Sequence, residues 1–301
     1  MESDKSLRFA VVGAGAVGCY FGGMLARAGS PVTLIGRAAH VDAIRAHGLR
    51  LQTQTFDEVV RVDAETDVAA VSGADVVLFC VKSTDSEKSA RVMAPFLSKD
   101  AVVLSLQNGV ENPDILREVL PQSVMASVVY VATEMAGPGH LKHHGRGELV
   151  IDNAPPAQLI AEAFAKAGVP VQLSDNVRGA QWAKLVVNCA YNALSAVTQK
   201  PYGQLVEVEG VPELMAAVVD ECLRVAQADG LSIPGDAHEA TRRIAQTMAG
   251  QYSSTAQDVA RGKPNEIDYL NGYVVRRGGL HSIATPINQT LLTLVKLVEK
   301  R

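Results

Sequence analysis

The sequence predicts an α/β protein, with a parallel sheet and its covering helices in the first half and an all-helical second half. Three observations carry that expectation. Short β-branched runs alternate with helical stretches up to about residue 174. A glycine-rich turn joins the first run to the first helix. Beyond Asp175 the strand signals stop and long helical periods take over, so the expected domains are 1–174 and 175–301. Strands that alternate with helices pair in parallel, because each crossover needs a helix to return the chain to the same edge.

In chain order, "RFAVVGAG" reads as the first strand and 16–28 as the first helix, and "PVTLIG" is the second strand. "LRLQT" and "DEVVRVDA" read as a hairpin or as separate short strands. "ADVVLFCV" is nearly all apolar, as a strand covered on both faces is, and "AVVLSLQNG" follows it. "VMASVVYVATEM" is the next strand, and "GHLKHHGRGELVID" is expected to form a hairpin. In the second half, helices are predicted over 177–197, 211–230, 236–249, 265–277 and 287–300. Pro201, Pro212, Pro234, Pro264 and Pro286 stand at or near their starts, where a missing N–H does no harm. No repeat or low-complexity segment interrupts the chain.

Composition narrows the function. Apolar residues make up 48% of the chain, the net charge is −4, and there is no long basic run, so nucleic acid is not an expected partner. The start, "MESDKSLRFA", lacks an apolar signal core. The longest apolar run, 76–81, is too short for a bilayer. Cys19, Cys80, Cys189 and Cys222 are scattered without a CxxC pair, which suits free thiols in a reducing compartment and no metal. A soluble cytoplasmic protein is expected. The assembly is left open, with a homodimer as the candidate state.

Gly13, Gly15 and Gly18 spell G-x-G-x-x-G between a strand and a helix, the setting in which this pattern points to a Rossmann-type dinucleotide site. Gly13 permits the tight turn and Gly15 lets backbone approach a pyrophosphate. Gly18 lets the helix pack on the sheet, with Ala16 and Val17 beside it where a helix N-terminus attracts phosphate. The second strand would end in a carboxylate if the ribose 2′-hydroxyl of NAD were read there. It ends in Gly36-Arg37 instead, and a guanidinium pairs bidentately with phosphate. NADPH is therefore the expected cofactor; the alternative is a surface arginine with the ribose read elsewhere. Lys82 and Asn108 end the next two strands, where this fold places ligands. Each is a candidate for cofactor or substrate contact, or an ordinary loop residue.

In "QWAKLVVNCAYNALSAV", Lys184, Asn188 and Asn192 recur at i, i+4, i+8 within an otherwise apolar helix. The narrow stripe is either a solvated edge or a polar line facing a cleft, where a polar ligand would offset the penalty of burying it. Further on, Ser253, Ser254, Glu266, Asp268 and Asn271 add polar groups. Pro264 and the acids after it read as a helix start, so Glu266 and Asp268 also suit a helix-dipole role.

With these motifs in order, the chain resembles the ketopantoate reductase family (2-dehydropantoate 2-reductases). The likeness runs nearly the whole length, through "VVGAGAVGCYFGGMLARAG", "VKS", "SLQNGV", H-x-G-x-G at 143–147, W-x-K-L-x-x-N at 182–188, SS-x-x-QD at 253–258 and "NEIDYLNGYVVRRG". It implies a Rossmann domain, a helical domain, a cleft between them, and NADPH-dependent reduction of a small 2-keto acid. It also implies Lys184 as general acid and Asn108, Asn188, Asn192, Ser254 and Glu266 as substrate-side residues, with Glu266 counted with Lys184 in the catalytic pair. Arg37 matches the 2′-phosphate arginine and Lys82 a cofactor- or substrate-side lysine. Two positions depart from the family pattern, Asp152 in place of a glycine and Thr84 in place of an aromatic residue. The leading expectation is reduction of 2-dehydropantoate to pantoate, a step of pantothenate and coenzyme A synthesis. The alternatives are a relative acting on another 2-keto acid, as a D-2-hydroxyacid dehydrogenase does, and a non-catalytic NADPH sensor. A sensor would need no proton donor, so the Lys-Asn-Asn stripe speaks against it.

Overall fold

A computed structural model describes residues 6–299; the expected helix end at Lys300 lies outside the described residues. The chain divides into two compact units between Val177 and Arg178.

The first unit runs β1 (Phe9–Val12), α1 (Ala16–Arg27), β2 (Val32–Ile35), α2 (Ala38–His47), β3 (Leu49–Gln52), β4 (Asp57–Val60), β5 (Asp63–Glu65), β6 (Val76–Phe79), α3 (Ser86–Met93), β7 (Val102–Ser105), α4 (Asn112–Val119), β8 (Ser123–Met125), β9 (Ser127–Gly137), β10 (His140–Asp152), α5 (Ala157–Lys166) and β11 (Val171–Ser174). Six strands form one parallel sheet in the order β5-β2-β1-β6-β7-β8. The order reverses between β1 and β6, the point at which such sheets bind ligands beyond the strand carboxyl ends.

The continuous apolar runs follow from burial on both faces. Phe9 and Val11 of β1, Val76 and Leu78 of β6, and Val102 and Leu104 of β7 join one core with α1 and α5. The intervening Ala10, Val12, Val77, Phe79 and Val103 join a second core with Ala90 and Met93 of α3 and Leu116 of α4. Successive side chains of a strand point to opposite faces, so a strand between two helical layers must be apolar at every position.

A second sheet in the order β11-β10-β3-β4 packs into the first of these cores, with β9 antiparallel to β10. "LRLQT" and the first half of "DEVVRVDA" do form a hairpin, β3–β4, but the latter's second half crosses over as β5 to the edge of the parallel sheet. "VMASVVYVATEM" splits into β8 and β9, one in each sheet. The expected hairpin in "GHLKHHGRGELVID" is one bulged strand, β10, and its partner is β9. The H-x-G-x-G motif marks those bulges. Gly147 has φ +136°, and a Cβ there would lie 2.3 Å from the Tyr20 hydroxyl, so the bulge admits only glycine. His143 stacks on the Tyr20 ring with centroids 4.5 Å apart. The motif thus closes β10 onto α1.

The second unit holds α6 (Val177–Thr198), α7 (Tyr202–Val206), α8 (Val211–Ala228), α9 (Ala237–Thr247), α10 (Ser254–Ala260), α11 (Asn271–Leu280) and α12 (Pro286–Glu299). Its core takes Trp182, Leu185, Val186, Cys189 and Ala193 from α6, Val218, Val219, Cys222 and Val225 from α8, Tyr273 and Val274 from α11, and Leu291 and Val295 from α12. The predicted helix 265–277 is broken: a single turn of 3-10 helix spans Ile267–Tyr269, and the α-helix begins only at Asn271. Leu270, at φ −109°, ψ −104°, lies outside the helical region and separates the two. Inside the unit, the carboxyl group of Glu221, 2% exposed, accepts from the backbone N–H groups of Ile287 (3.0 Å) and Asn288 (2.9 Å) and from Asn288 Nδ2 (2.8 Å). It thereby caps α12 from another helix, meeting donors that a helix start leaves unpaired. Among the described residues no helix is long and apolar enough to cross a membrane.

Candidate active site

Four loops meet the carboxyl edge of the parallel sheet. After β1 the chain turns at Gly13, with φ +103°, and a Cβ there would come within 2.7 Å of the Cys80 backbone at the end of β6. Glycine lets the two loops touch across the switch point. At Gly18 a Cβ would lie 2.3 Å from the Gly13 carbonyl oxygen and 2.8 Å from Val11, so α1 rests directly on β1. Gly15 is different: a Cβ there would meet nothing within 4 Å. Its glycine character is not required by the protein's own packing and leaves open space over the start of α1. The N–H groups of Ala16, Val17 and Gly18 open that helix with no preceding turn to accept them. No acid stands in the first turn of α1 or of α2. The edge therefore fits a pyrophosphate at a helix N-terminus.

Beside it, a Cβ on Gly36 would lie 2.7 Å from the Ala14 Cβ, so β2 ends hard against the glycine turn. Arg37 follows as the residue that caps α2. It is exposed, and its guanidinium has no ion pair or hydrogen bond among the described residues. A cation at a helix N-terminus faces the positive end of the helix dipole. A phosphate bound there would reverse that penalty.

Lys82 and Asn108 are half-buried in the loops that follow β6 and β7. Beneath them lie side chains that sequence reading passed over. Asn112 Nδ2 donates to Ser83 Oγ (2.9 Å) and to the Asn108 carbonyl (2.7 Å). Gln107 Nε2 donates to the Val81 carbonyl (3.0 Å) and to Ser86 Oγ (2.7 Å). Their only sequence signal is a cluster of small polar residues at strand ends.

In the second unit, Lys184 and Asn188 are half-buried on successive turns of α6, while Asn192 is 3% exposed. An eight-residue step on a helix of 3.6 residues per turn rotates by about 80° beyond two full turns. The stripe therefore winds under a neighbour: Asn192 Nδ2 donates to Thr255 Oγ1 at 3.2 Å. Ser253, not its neighbour, is the buried serine of the pair. Its Oγ accepts from Ala256 N–H to cap α10 and donates to the Asn192 carbonyl at 3.2 Å. Ser254 is exposed at the first position of α10. Thr255 and α10 itself escaped sequence reading, because a seven-residue helix has little periodicity to show.

Glu266 is half-buried and precedes the 3-10 turn, with Asn265 Oδ1 accepting from Ile267 N–H at 2.9 Å to hold the backbone there. No α-helix starts at this point, so the helix-dipole role loses its basis. Asp268 turns to α12 and pairs with Lys296 at 2.6 Å. Asn271 Nδ2 donates to the Cys189 carbonyl of α6 at 3.1 Å, which draws the Glu266 segment toward the stretch of α6 that carries Asn188.

Family models described as "Ketopantoate reductase PanE/ApbA" and "Ketopantoate reductase PanE/ApbA C terminal" match residues 9–156 and 176–299. A "2-dehydropantoate 2-reductase" of Halobacterium salinarum is 35% identical, with 98% of this chain and 99% of the relative aligned. The crystal structure of a PanE/ApbA family ketopantoate reductase from Ralstonia eutropha superposes with a TM-score of 0.96 at 62% identity, covering 98% of this chain and 99% of that one. A D-mandelate dehydrogenase solved with NADH and anilino(oxo)acetate superposes with a TM-score of 0.90 at 27% identity, covering 98% and 99%.

Proposed function

The chain belongs to the ketopantoate reductase family, and on that premise we propose that it reduces 2-dehydropantoate to pantoate with NADPH, residues 1–174 holding the cofactor and 175–301 supplying the substrate-side groups. The observation that carries the reading is the presence in one chain of open space over Gly15 at the start of α1 and a half-buried lysine in the narrow polar stripe of α6. A reduced nicotinamide bound by the first unit would supply the hydride for the ketone carbon. Negative charge then gathers on the ketone oxygen, and Lys184 delivers a proton to it. Asn188 and Ser254 orient the keto acid, Asn192 supports them from beneath through its bond to Thr255, and Glu266 accepts a hydrogen bond from its hydroxyl. Lys82 and Asn108 hold the cofactor or the substrate near the reacting carbon. All four cysteines are free, which favours a cytoplasmic location. A homodimer is the assembly to be tested by sedimentation. Following NADPH absorbance with a panel of 2-keto acids tests the whole reading. Preference for 2-dehydropantoate supports it, whereas preference for an aryl keto acid would favour the alternative suggested by the D-mandelate dehydrogenase likeness.

Arg37 sets the cofactor. NADPH is expected to be preferred over NADH by about tenfold or more, roughly 1.4 kcal/mol, a modest demand on a charge-assisted phosphate contact. Arg37→Ala is expected to weaken NADPH and leave NADH nearly unchanged in kcat/KM. Equal losses would show that Arg37 does not read the 2′-phosphate.

Glu266 sets the substrate. Activity toward 2-dehydropantoate is expected to fall from wild type to Glu266→Gln to Glu266→Ala, because the amide still accepts one hydrogen bond but lacks the charge. Keto acids without that hydroxyl should lose much less. Parallel losses for both substrate types would take the hydroxyl contact away from Glu266.

A further inference from the structure

The side chains beneath Lys82 and Asn108 form a closed hydrogen-bond network that no step of the proposed reaction uses. Both hydrogens of the Asn112 amide have acceptors, and its Oδ1 accepts from Ser86 Oγ at 2.8 Å. Both hydrogens of the Gln107 amide have acceptors, and its Oε1 accepts from Ser105 Oγ at 3.0 Å. Ser127 Oγ donates to the Ser105 carbonyl. Ser83, Ser86, Ser105, Gln107, Asn112 and Ser127 are all buried. Burying so many polar groups carries a large desolvation penalty, which only full satisfaction offsets. Apolar side chains of similar shape would fill the volume with about the same stability. What only this network supplies is direction: one bond fixes the Ser105 carbonyl at the end of β7, and its amides are spent on the carbonyls of the two loops, Val81, next to Lys82, and Asn108 itself.

The strand order indicates which part of the cofactor those loops serve. Arg37 stands at the end of β2 and the phosphate cradle at the end of β1, and β6 and β7 continue the sheet in the same direction. A dinucleotide with its 2′-phosphate at β2 and its pyrophosphate at β1 places its nicotinamide half beyond β6 and β7. Resting on the dinucleotide reading above, we propose that Asn112 and Gln107 are positioning residues that hold the Lys82 loop and Asn108 in register, and so build the seat of the nicotinamide half without affecting the adenosine half.

The test compares two ligands on the full-length protein by calorimetry: NADPH, and 2′-phospho-ADP-ribose, which lacks the nicotinamide. Asn112→Ala is expected to weaken NADPH about tenfold or more, a loss of one to two hydrogen-bonded contacts, and to leave 2′-phospho-ADP-ribose within about twofold. Gln107→Ala should behave alike. The primary isotope effect measured with 4-deuterated NADPH should rise in both variants, because a loosely seated ring makes hydride transfer the slower step. Ser83→Ala removes the acceptor of one Asn112 N–H without emptying the core, and should show the same selectivity at about threefold on NADPH alone; it decides the matter if the larger changes fail to fold. Parallel weakening of both ligands in Ser83→Ala, or no change in either, would overturn the proposal. Failure of the unaltered protein to bind 2′-phospho-ADP-ribose would instead overturn the dinucleotide reading, and the proposal with it.

Discussion

Lys184→Ala is expected to lower kcat about 10²-fold or more, the usual contribution of a positioned general acid. The effect should fall on kcat rather than KM, because the proton is needed only as charge develops on the ketone oxygen. Stability should barely change, since Lys184 is half-buried and outside the core formed by Trp182, Leu185, Val186 and Cys189. Lys184→Arg separates two roles of the lysine. A guanidinium keeps the positive charge near the developing oxyanion but does not give up its proton in this pH range. If proton delivery is the role of Lys184, arginine will restore little; if charge alone matters, it will restore much of the rate. A kcat for Lys184→Ala within about twofold of wild type, as for an uninvolved surface residue, would move the acid elsewhere, with Glu266 next to be tested.

The largest expected effect on stability is at Glu221. Its removal leaves the N–H groups of Ile287 and Asn288 and the Asn288 amide without their acceptor, deep in the second unit. The damage extends further, because Asn288 Oδ1 accepts from Asn271 Nδ2 at 2.9 Å and Asn271 also reaches the Cys189 carbonyl of α6. Glu221→Ala is therefore expected to destabilise by about 3–5 kcal/mol, because three donors lose their buried acceptor at about 1–3 kcal/mol each, less what relaxation recovers. That corresponds to a fall in Tm of roughly 5–8 °C for a protein of this size. Glu221→Gln keeps the shape but turns an NH2 toward a donor, so a loss of about 1–3 kcal/mol is expected, the penalty for one unmet group. Calorimetry on both variants measures the difference. A change under about 1 kcal/mol for Glu221→Ala, no more than one ordinary hydrogen bond, would mean that water or another side chain takes over the cap of α12.

How far each feature could be read in the sequence depends on the distance along the chain over which it is decided. The parallel sheet was legible because its central strands β1, β6 and β7 are apolar at consecutive positions, which only burial on both faces demands. The glycine turn was legible because Gly13 and Gly18 each meet a local backbone requirement and Gly15 completes their spacing, and Arg37 because it replaces an acid at one strand end. The Lys184 and Asn188 pair was legible because helical spacing puts them on neighbouring turns. Asp152, a departure from the family's pattern, serves the scaffold: its Oδ2 accepts from the Ala126 N–H at 2.8 Å.

Tertiary structure decided the rest. Nothing local says that the segment after β4 leaves one sheet for the edge of the other, because strand pairing is a choice among distant edges. Nothing in the i, i+4, i+8 stripe says that Asn192 ends beneath α10, since that depends on where residue 255 is brought by the fold. The glutamate at 266 looked like a helix start until Leu270 broke the helix, and the choice of Ser253 over Ser254 for burial rests on hydrogen bonds to a carbonyl some sixty residues away. The networks around Asn112 and Glu221 join residues far apart in the chain, so their donors and acceptors cannot be matched before the chain has folded. The sequence by itself therefore determined the local chemistry: which turn keeps open space at a helix start, which strands are buried, which helix carries a lysine. Which polar side chains face a ligand and which serve the scaffold was determined only by packing, because a hydrogen bond is satisfied by whatever partner the fold brings within reach.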